Sequence, residues 1–272
     1  ENNTDLSEDE LAMIEPALYH FKEIWCKGDE KSYEYLMKLL QEKFRNPFDI
    51  PAIPACLVLY GKEGAGKTKP VEVLFDKAFG SEYVAHSVTF EGVTNASGHA
   101  DSLESKLVAV MNEIPESDYN HRKMFEQFKT LISDKYRRSR RMFQGQCSVP
   151  NTVFYIATTN NKNAFHVTQS DRRYFMLDVS SSKIGDSDYF KALVENLEDQ
   201  WELLIQYILN YKVSEKTKIP DNALRAHAKQ LSLCPVGQWL QYKFEGQDDW
   251  IDTEVGLGIV DTYQDYKAWM QD

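Results

Sequence analysis

An α/β fold with a mostly parallel sheet, flanked by helical segments at both ends, is predicted by two observations. Five short apolar runs, at residues 56–60, 83–88, 106–111, 151–157 and 173–179, are separated by helical or loop segments of ten or more residues. Such spacing lets each strand return parallel to the last through a crossover. The second observation is Gly61-Lys62-Glu63-Gly64-Ala65-Gly66-Lys67-Thr68, which fits G-x-x-x-x-G-K-[ST] and sits between the first run and a helix-like segment at 70–79 closed by Gly80. Glycines let backbone N–H groups curl around phosphate oxygens, and the helix N-terminus adds partial positive charge. Gly61, Gly64, Ala65, Gly66, Lys67 and Thr68 are therefore the expected cradle for ATP or a close relative. Lys67 would reach the β- and γ-phosphates, and the Thr68 hydroxyl would face Mg²⁺. An ordinary glycine-rich turn is the plain alternative.

The other elements follow from periodicity. Ser7-x-x-Glu10 forms a capping box, and Leu11, Ile14, Leu18, Phe21 and Trp25 then recur at helical spacing. Pro16 lies inside that pattern, where a kink or break is possible. A second helix is expected over about residues 31–44, with Tyr35, Leu36, Leu39 and Leu40 on one face, ended by Asn46-Pro47 and the prolines at 51 and 54. From 188 to 211, Tyr189, Phe190, Leu193, Val194, Leu197, Trp201, Leu204, Ile205 and Ile208 keep a 3.6-residue period, predicting one long amphipathic helix. Further helices are expected near 220–231, 236–244 and 261–270.

Composition narrows the classes. The chain has 272 residues, enough for one large α/β domain with helical additions or two small domains. It starts at Glu1 without a Met or an apolar leader and reads as a piece of something longer. No stretch approaches the ~20 apolar residues of a membrane helix, and no secretory pattern is visible, so a cytoplasmic protein without membrane contact is expected. Cys26, Cys56, Cys147 and Cys234 are far apart and lack C-x-x-C spacing, against zinc and disulfides. The scattered His residues read as structural or surface groups. A net charge of −11 repels nucleic acid on average. Yet Lys135, Arg137, Arg138, Arg140 and Arg141 gather the basic residues tightly, which suits an anionic partner; a solvated basic loop is the alternative.

Hydrolysis needs more than phosphate binding: a positioned water, and cations for the growing γ-phosphoryl charge. The run 106–111 ends in Asn112-Glu113, where a metal-assisting and base pair belongs at a strand's C-terminal end. Glu113 is the candidate base, with a helix N-terminal carboxylate as the alternative; Asn112 would help Mg²⁺ through a neutral oxygen, by way of water. The next run ends in Thr158-Thr159-Asn160-Asn161, and Asn160 is the candidate γ-phosphate sensor, against a plain Asn-rich turn. Asp171-Arg172-Arg173 opens the last run; at least one arginine should face a partner anion, as a finger acting on a neighbour's nucleotide, against a local salt bridge to Asp171 or Asp178.

The series GKEGAGKT, KLVAVMNEIPE, FKTLISDKYRRSRR, VPNTVFYIATTNN and SDRRYFMLDVS resembles, in order and spacing, the superfamily 3 helicase domain of phage, plasmid and large-DNA-virus primase-helicases, above all the domains attached to phage primase-polymerases. The resemblance implies an AAA+-like P-loop core at 51–182 after a helical collar at 1–50, a C-terminal helical segment at 183–231 and the start of a winged-helix-like tail at 232–272. It also implies a homo-oligomeric, usually hexameric ring with ATP and Mg²⁺ at subunit interfaces, loops contacting single-stranded DNA, and a primase or primase-polymerase in the same full-length chain, working in the host cytoplasm if viral. The basic cluster falls where a pore loop would lie. Phe143 beside it would stack on a base or simply pack. Asn112 and the early Pro70 depart from the usual pattern. The expected activity is ATP-driven movement on single-stranded DNA. A ring ATPase for assembly, packaging or signalling is the alternative, and a small-molecule kinase fits less well.

Overall fold

The computed structural model describes residues 6–94, 103–112, 114–115, 122–140, 146–165, 167–214, 218–233, 235–245 and 259–270. Five strands, β1 (Cys56–Tyr60), β2 (Val84–Val88), β3 (Val108–Met111), β6 (Phe154–Thr159) and β7 (Tyr174–Asp178), form one parallel sheet in the order β2-β3-β6-β1-β7. Strands β4 (Tyr136–Arg140) and β5 (Gln146–Pro150) pair antiparallel as a separate ribbon between β3 and β6. The basic run 135–141 is thus largely one strand of a ribbon instead of a loop.

The sheet strands are apolar on both faces, as strands covered on two sides must be. Leu57, Leu59, Val108, Val110, Phe154, Ile156, Phe175 and Leu177 point to a core shared with α1 (Glu8–Tyr19), α2 (Glu30–Arg45), α3 (Lys69–Phe79), α6 (Ser187–Asp199) and α7 (Trp201–Asn210). Their alternates Cys56, Val58, Ala109, Met111, Tyr155, Ala157, Tyr174 and Met176 meet α4 (Phe90–Thr94), α5 (Arg122–Ser133) and α8 (Ala223–Leu231). Each fully buried Leu or Phe stabilises this sandwich by roughly 1.5–3 kcal/mol. Lys43 on α2, 4% exposed, ties that helix to the sheet by donating to the Pro47 and Thr152 carbonyls at 2.7 and 2.8 Å. Burial pushes its pKa down to about 8.

Two expectations are corrected in detail. The helix over 188–211 is two helices, because Gln200 (φ −114, ψ 16) leaves helical geometry between α6 and α7. The apolar period runs on through the break because both helices bury their stripes in the same core; periodicity reports the buried side and not continuity. Pro16 neither ends nor breaks α1. The helix continues to Tyr19 and then widens into a π-helical turn, His20–Trp25. At the C-terminal end, α9 (Pro235–Glu245) and α10 (Ile259–Trp269) meet through Trp239 Nε1, which donates to Asp265 at 3.1 Å. Among the described residues no helix is long and apolar enough to cross a membrane.

Candidate functional site

All five strands run the same way, so one edge of the sheet collects every C-terminal end. That edge is where the backbone leaves the sheet and where polar groups can converge. Placing β6 between β1 and β3 brings the loop after β1 against the ends of the other two strands. A cavity of about 480 Å³ results, lined by residues 63–70, Asn112, residues 158–160 and an apolar wall of Phe190, Leu193 and Val194 from α6.

The loop after β1 is anchored at its start by Gly61 N–H, which donates to the Thr159 carbonyl at 3.1 Å. Gly64 and Gly66 adopt φ of +74° and +78°, a region side chains disfavour. Gly66 is doubly constrained, since a Cβ there would lie 2.6 Å from Phe190 Cε1 and 2.7 Å from His20 Cε1. Among the described residues, the backbone N–H groups from Gly64 to Thr68 donate to no protein acceptor. Successive N–H groups left open in this way make an anion-binding concavity. The helix α3 starts directly behind them, with Pro70 in its first turn, where a missing N–H costs nothing.

Lys67 is 9% exposed, and its ammonium donates to Gly61 O at 2.5 Å, Lys62 O at 2.7 Å and Asn160 Oδ1 at 2.7 Å. Burial lowers its pKa, and the nearby Glu63 carboxylate opposes that shift. Thr68 Oγ1 lies 3.4 Å from Thr158 Oγ1, which donates to Asn112 Oδ1 at 2.8 Å; Asn112 Nδ2 in turn donates to Ser87 Oγ at 3.1 Å. Lys67, Thr68, Asn112 and Asn160 are therefore brought together. Asn161 instead builds the turn, its Oδ1 accepting from Asn163 N–H at 2.8 Å. Sequence reasoning missed Thr158, which is 4% exposed. Its signal was available: positions 158 and 160 are two apart and share the strand face that carries α3.

Two further groups reach the loop from far away in the chain. His20 Nε2 and Trp25 Nε1 both donate to Gly66 O, at 2.9 and 3.0 Å. Because a carbonyl only accepts, His20 carries its proton on Nε2, and Tyr189 OH donates to Nδ1 at 2.8 Å. Burial pulls the His20 pKa down to about 4, with the Gly66 carbonyl opposing.

The arginines are placed differently. Arg173 donates through Nε to Ser133 Oγ at 2.6 Å and pairs with Asp171 at 3.5 Å, while Asp178 pairs with Lys27. Arg225 donates to the Tyr174 carbonyl at 2.6 Å and to the Asp171 carbonyl, pinning this turn from α8. Arg172 is left exposed and, among the described residues, without a hydrogen bond or ion pair. Both arginines precede β7, at the opposite end of the sheet from the loop, about 16 Å away over a five-residue strand. Neither can serve the site of its own chain. In the ribbon, Lys135 is exposed, but Arg137 is only 8% exposed and donates to the Leu103 carbonyl at 2.6 Å, so it faces inward. Burial lowers its pKa. Register pairs Arg138 with Ser148 and Arg140 with Gln146. Glu113, Arg141 and Phe143 lie outside the described residues.

Among the described residues no three His, Cys, Asp or Glu side chains converge on a metal-sized site, and the side-chain oxygens gathered beside Lys67 are those of hydroxyls and amides. Thr68 and Asn112 supply such neutral oxygens, which suits Mg²⁺ bound chiefly through phosphates.

Residues 59–173 match the profile of a family of unknown function, DUF5906. No curated protein matches the chain. Among solved structures, it is similar to the apo structure of the NrS-1 C terminal region (305–718), with a TM-score of 0.70 and 16% identity over 85% of this chain and 54% of the other. Two A form apo structures of that region align with TM-scores of 0.63 and 0.65 at 16% identity, covering 85% and 94% of this chain and 53% and 62% of theirs. The likeness is one of fold, and the chain spans little more than half the length of these solved regions.

Proposed function

We propose that this chain is the motor of a replicative DNA helicase of the superfamily 3 type: an AAA+-like P-loop ATPase that forms a homo-oligomeric, hexameric ring and moves on single-stranded DNA. The observation that carries the proposal is the convergence of Lys67 with Asn160, and of Thr68 with Thr158 and Asn112, at one end of the parallel sheet. A triphosphate fits this edge, because the open N–H groups and the Lys67 ammonium are donors without a competing carboxylate among the described lining except Glu63. Bound phosphate would draw Lys67 from the loop carbonyls it holds and leave Asn160 aimed at the γ-phosphate.

In the reaction, water adds to the γ-phosphorus, the bond to the bridging oxygen breaks, and ADP departs. Glu113, following β3, takes the water's proton. Thr68 and Asn112 would help hold Mg²⁺, which when bound would supply positive charge against the phosphates. Arg172 of one subunit projects to the neighbour's γ-phosphoryl group, since it cannot reach its own. The ribbon between β3 and β6 lines the channel, with Lys135, Arg138, Arg140 and Arg141 as the phosphate contacts; Arg137 serves the ribbon's packing. A primase or primase-polymerase shares the full-length chain.

The test is ATP hydrolysis with and without single-stranded DNA, on the assembled protein. Stimulation is expected, lost in Arg138→Ala/Arg140→Ala; Lys67→Ala removes nucleotide binding, and Glu113→Gln keeps binding but stops turnover. Hydrolysis that DNA neither stimulates nor competes with would leave a ring ATPase without unwinding. No nucleotide binding at all would sink both.

A further inference from the structure

We propose that His20 and Trp25 are positioning residues of the nucleotide site: their ring N–H groups hold the Gly66 carbonyl so that the Lys67 N–H is presented to the triphosphate. The inference rests on the nucleotide-binding reading above. In a trans peptide the carbonyl oxygen and the following N–H point in opposite directions. Fixing Gly66 O toward His20 and Trp25 therefore aims the Lys67 N–H into the cavity. Two donors occupy both lone pairs of that oxygen, at 2.9 and 3.0 Å. Both donors are buried, 0% and 2% exposed, so a flipped peptide would strand two N–H groups away from water.

The local structure is shaped for this task. In an α-helix, residues five apart point about 140° away from each other. The π-helical turn His20–Trp25, whose wider winding shows in Cys26 N–H bonding Phe21 O at 3.2 Å, brings them to one face. Tyr189 OH fixes the His20 tautomer that donates to Gly66, and Trp25 stacks on Phe21 with ring centroids 4.7 Å apart. The N-terminal helical segment thus contributes to the phosphate loop's conformation from outside the sheet. A merely structural brace would change stability without changing affinity for nucleotide in the folded protein.

The experiment is titration of the folded chain with a fluorescent ATP analogue, alongside kcat at saturating ATP. Trp25→Phe and His20→Leu are expected to raise Kd about three- to tenfold each, the scale of one lost neutral hydrogen bond, with kcat nearly unchanged. His20→Gln, which keeps an N–H donor, should recover part of the loss. Unchanged Kd in folded variants overturns the positioning role while nucleotide binding stands. Wild-type protein that binds no analogue overturns the site itself. Should Trp25→Phe fail to fold, benzothienylalanine at position 25 keeps the shape and replaces N–H with sulfur; unchanged affinity there also refutes the inference.

Discussion

Gly66 and Gly64 both hold positive φ, at +78° and +74°, yet Ala substitutions at the two should differ sharply. For an L-residue the left-handed region costs about 1–2 kcal/mol, and both variants incur it. Only at Gly66 does the new methyl collide, at 2.6 Å from Phe190 Cε1 and 2.7 Å from His20 Cε1. At Gly64 the nearest atom is Ile184 Cγ2 at 3.8 Å, ordinary contact. The His20 and Phe190 rings are held edge-to-face with each other, centroids 6.3 Å apart, and cannot swing away cheaply. Overpacking of that kind adds about 1–3 kcal/mol, for a total near 2–5 kcal/mol at Gly66 against 1–2 at Gly64. At roughly 2–4 °C per kcal/mol for a chain of this size, Gly66→Ala should lower Tm by about 4–20 °C and Gly64→Ala by about 2–8 °C. Thermal unfolding by circular dichroism at fixed protein concentration and without nucleotide measures both. In a Phe190→Ala background the Gly66→Ala loss should shrink, because one of the two collisions is gone. Equal losses for the two glycines, or a Gly66→Ala loss indifferent to Phe190→Ala, would refute the steric argument.

Two other outcomes follow from side-chain environments. His20 has a folded pKa near 4 against 6.5 for a free imidazole, so between those values the unfolded chain takes up a proton that the folded chain refuses. Its contribution is complete above pH 6.5 and is lost as pH falls through 4, by about 3 kcal/mol in all. His20→Gln should flatten the acid limb of urea-measured stability by about that amount, and wild-type and variant curves that run parallel would disprove it. For the arginines, mixing Arg172→Ala with Lys67→Ala subunits should restore hydrolysis, since each supplies what the other lacks. Arg173→Ala should instead lower stability, having lost Ser133 and Asp171, and show no such rescue. Rescue by Arg173→Ala and none by Arg172→Ala would reverse the assignment.

Much of the local architecture was legible in the residues. The apolar runs became the five sheet strands, though β6 begins three residues after Asn151. That asparagine is buried and bonds the Leu131 and Asp134 carbonyls, which no strand pattern encodes. The capping box at Ser7 and Glu10 formed as its chemistry requires. Less legible were the features that depend on which surface an element meets. Trp25 reads as one more apolar position in a helical stripe, and its N–H target is 41 residues away. Arg172 and Arg173 are alike in sequence, and only the nearness of Ser133 and Asp171 to one of them separates an engaged guanidinium from an exposed one.

The sequence by itself determined the glycine-loop pattern and the α/β alternation, because glycine conformation and apolar period are set within a few residues. The tertiary structure decided that β6 lies between β1 and β3 and so carries Asn160 to Lys67. It also decided that Thr158 joins Thr68 to Asn112, that Arg137 turns inward, and that a π-helical turn reaches Gly66. These depend on strand order and on contacts between residues 34 to 93 positions apart. Local propensity places no constraint on such contacts; burial and hydrogen-bond satisfaction across the whole fold select them.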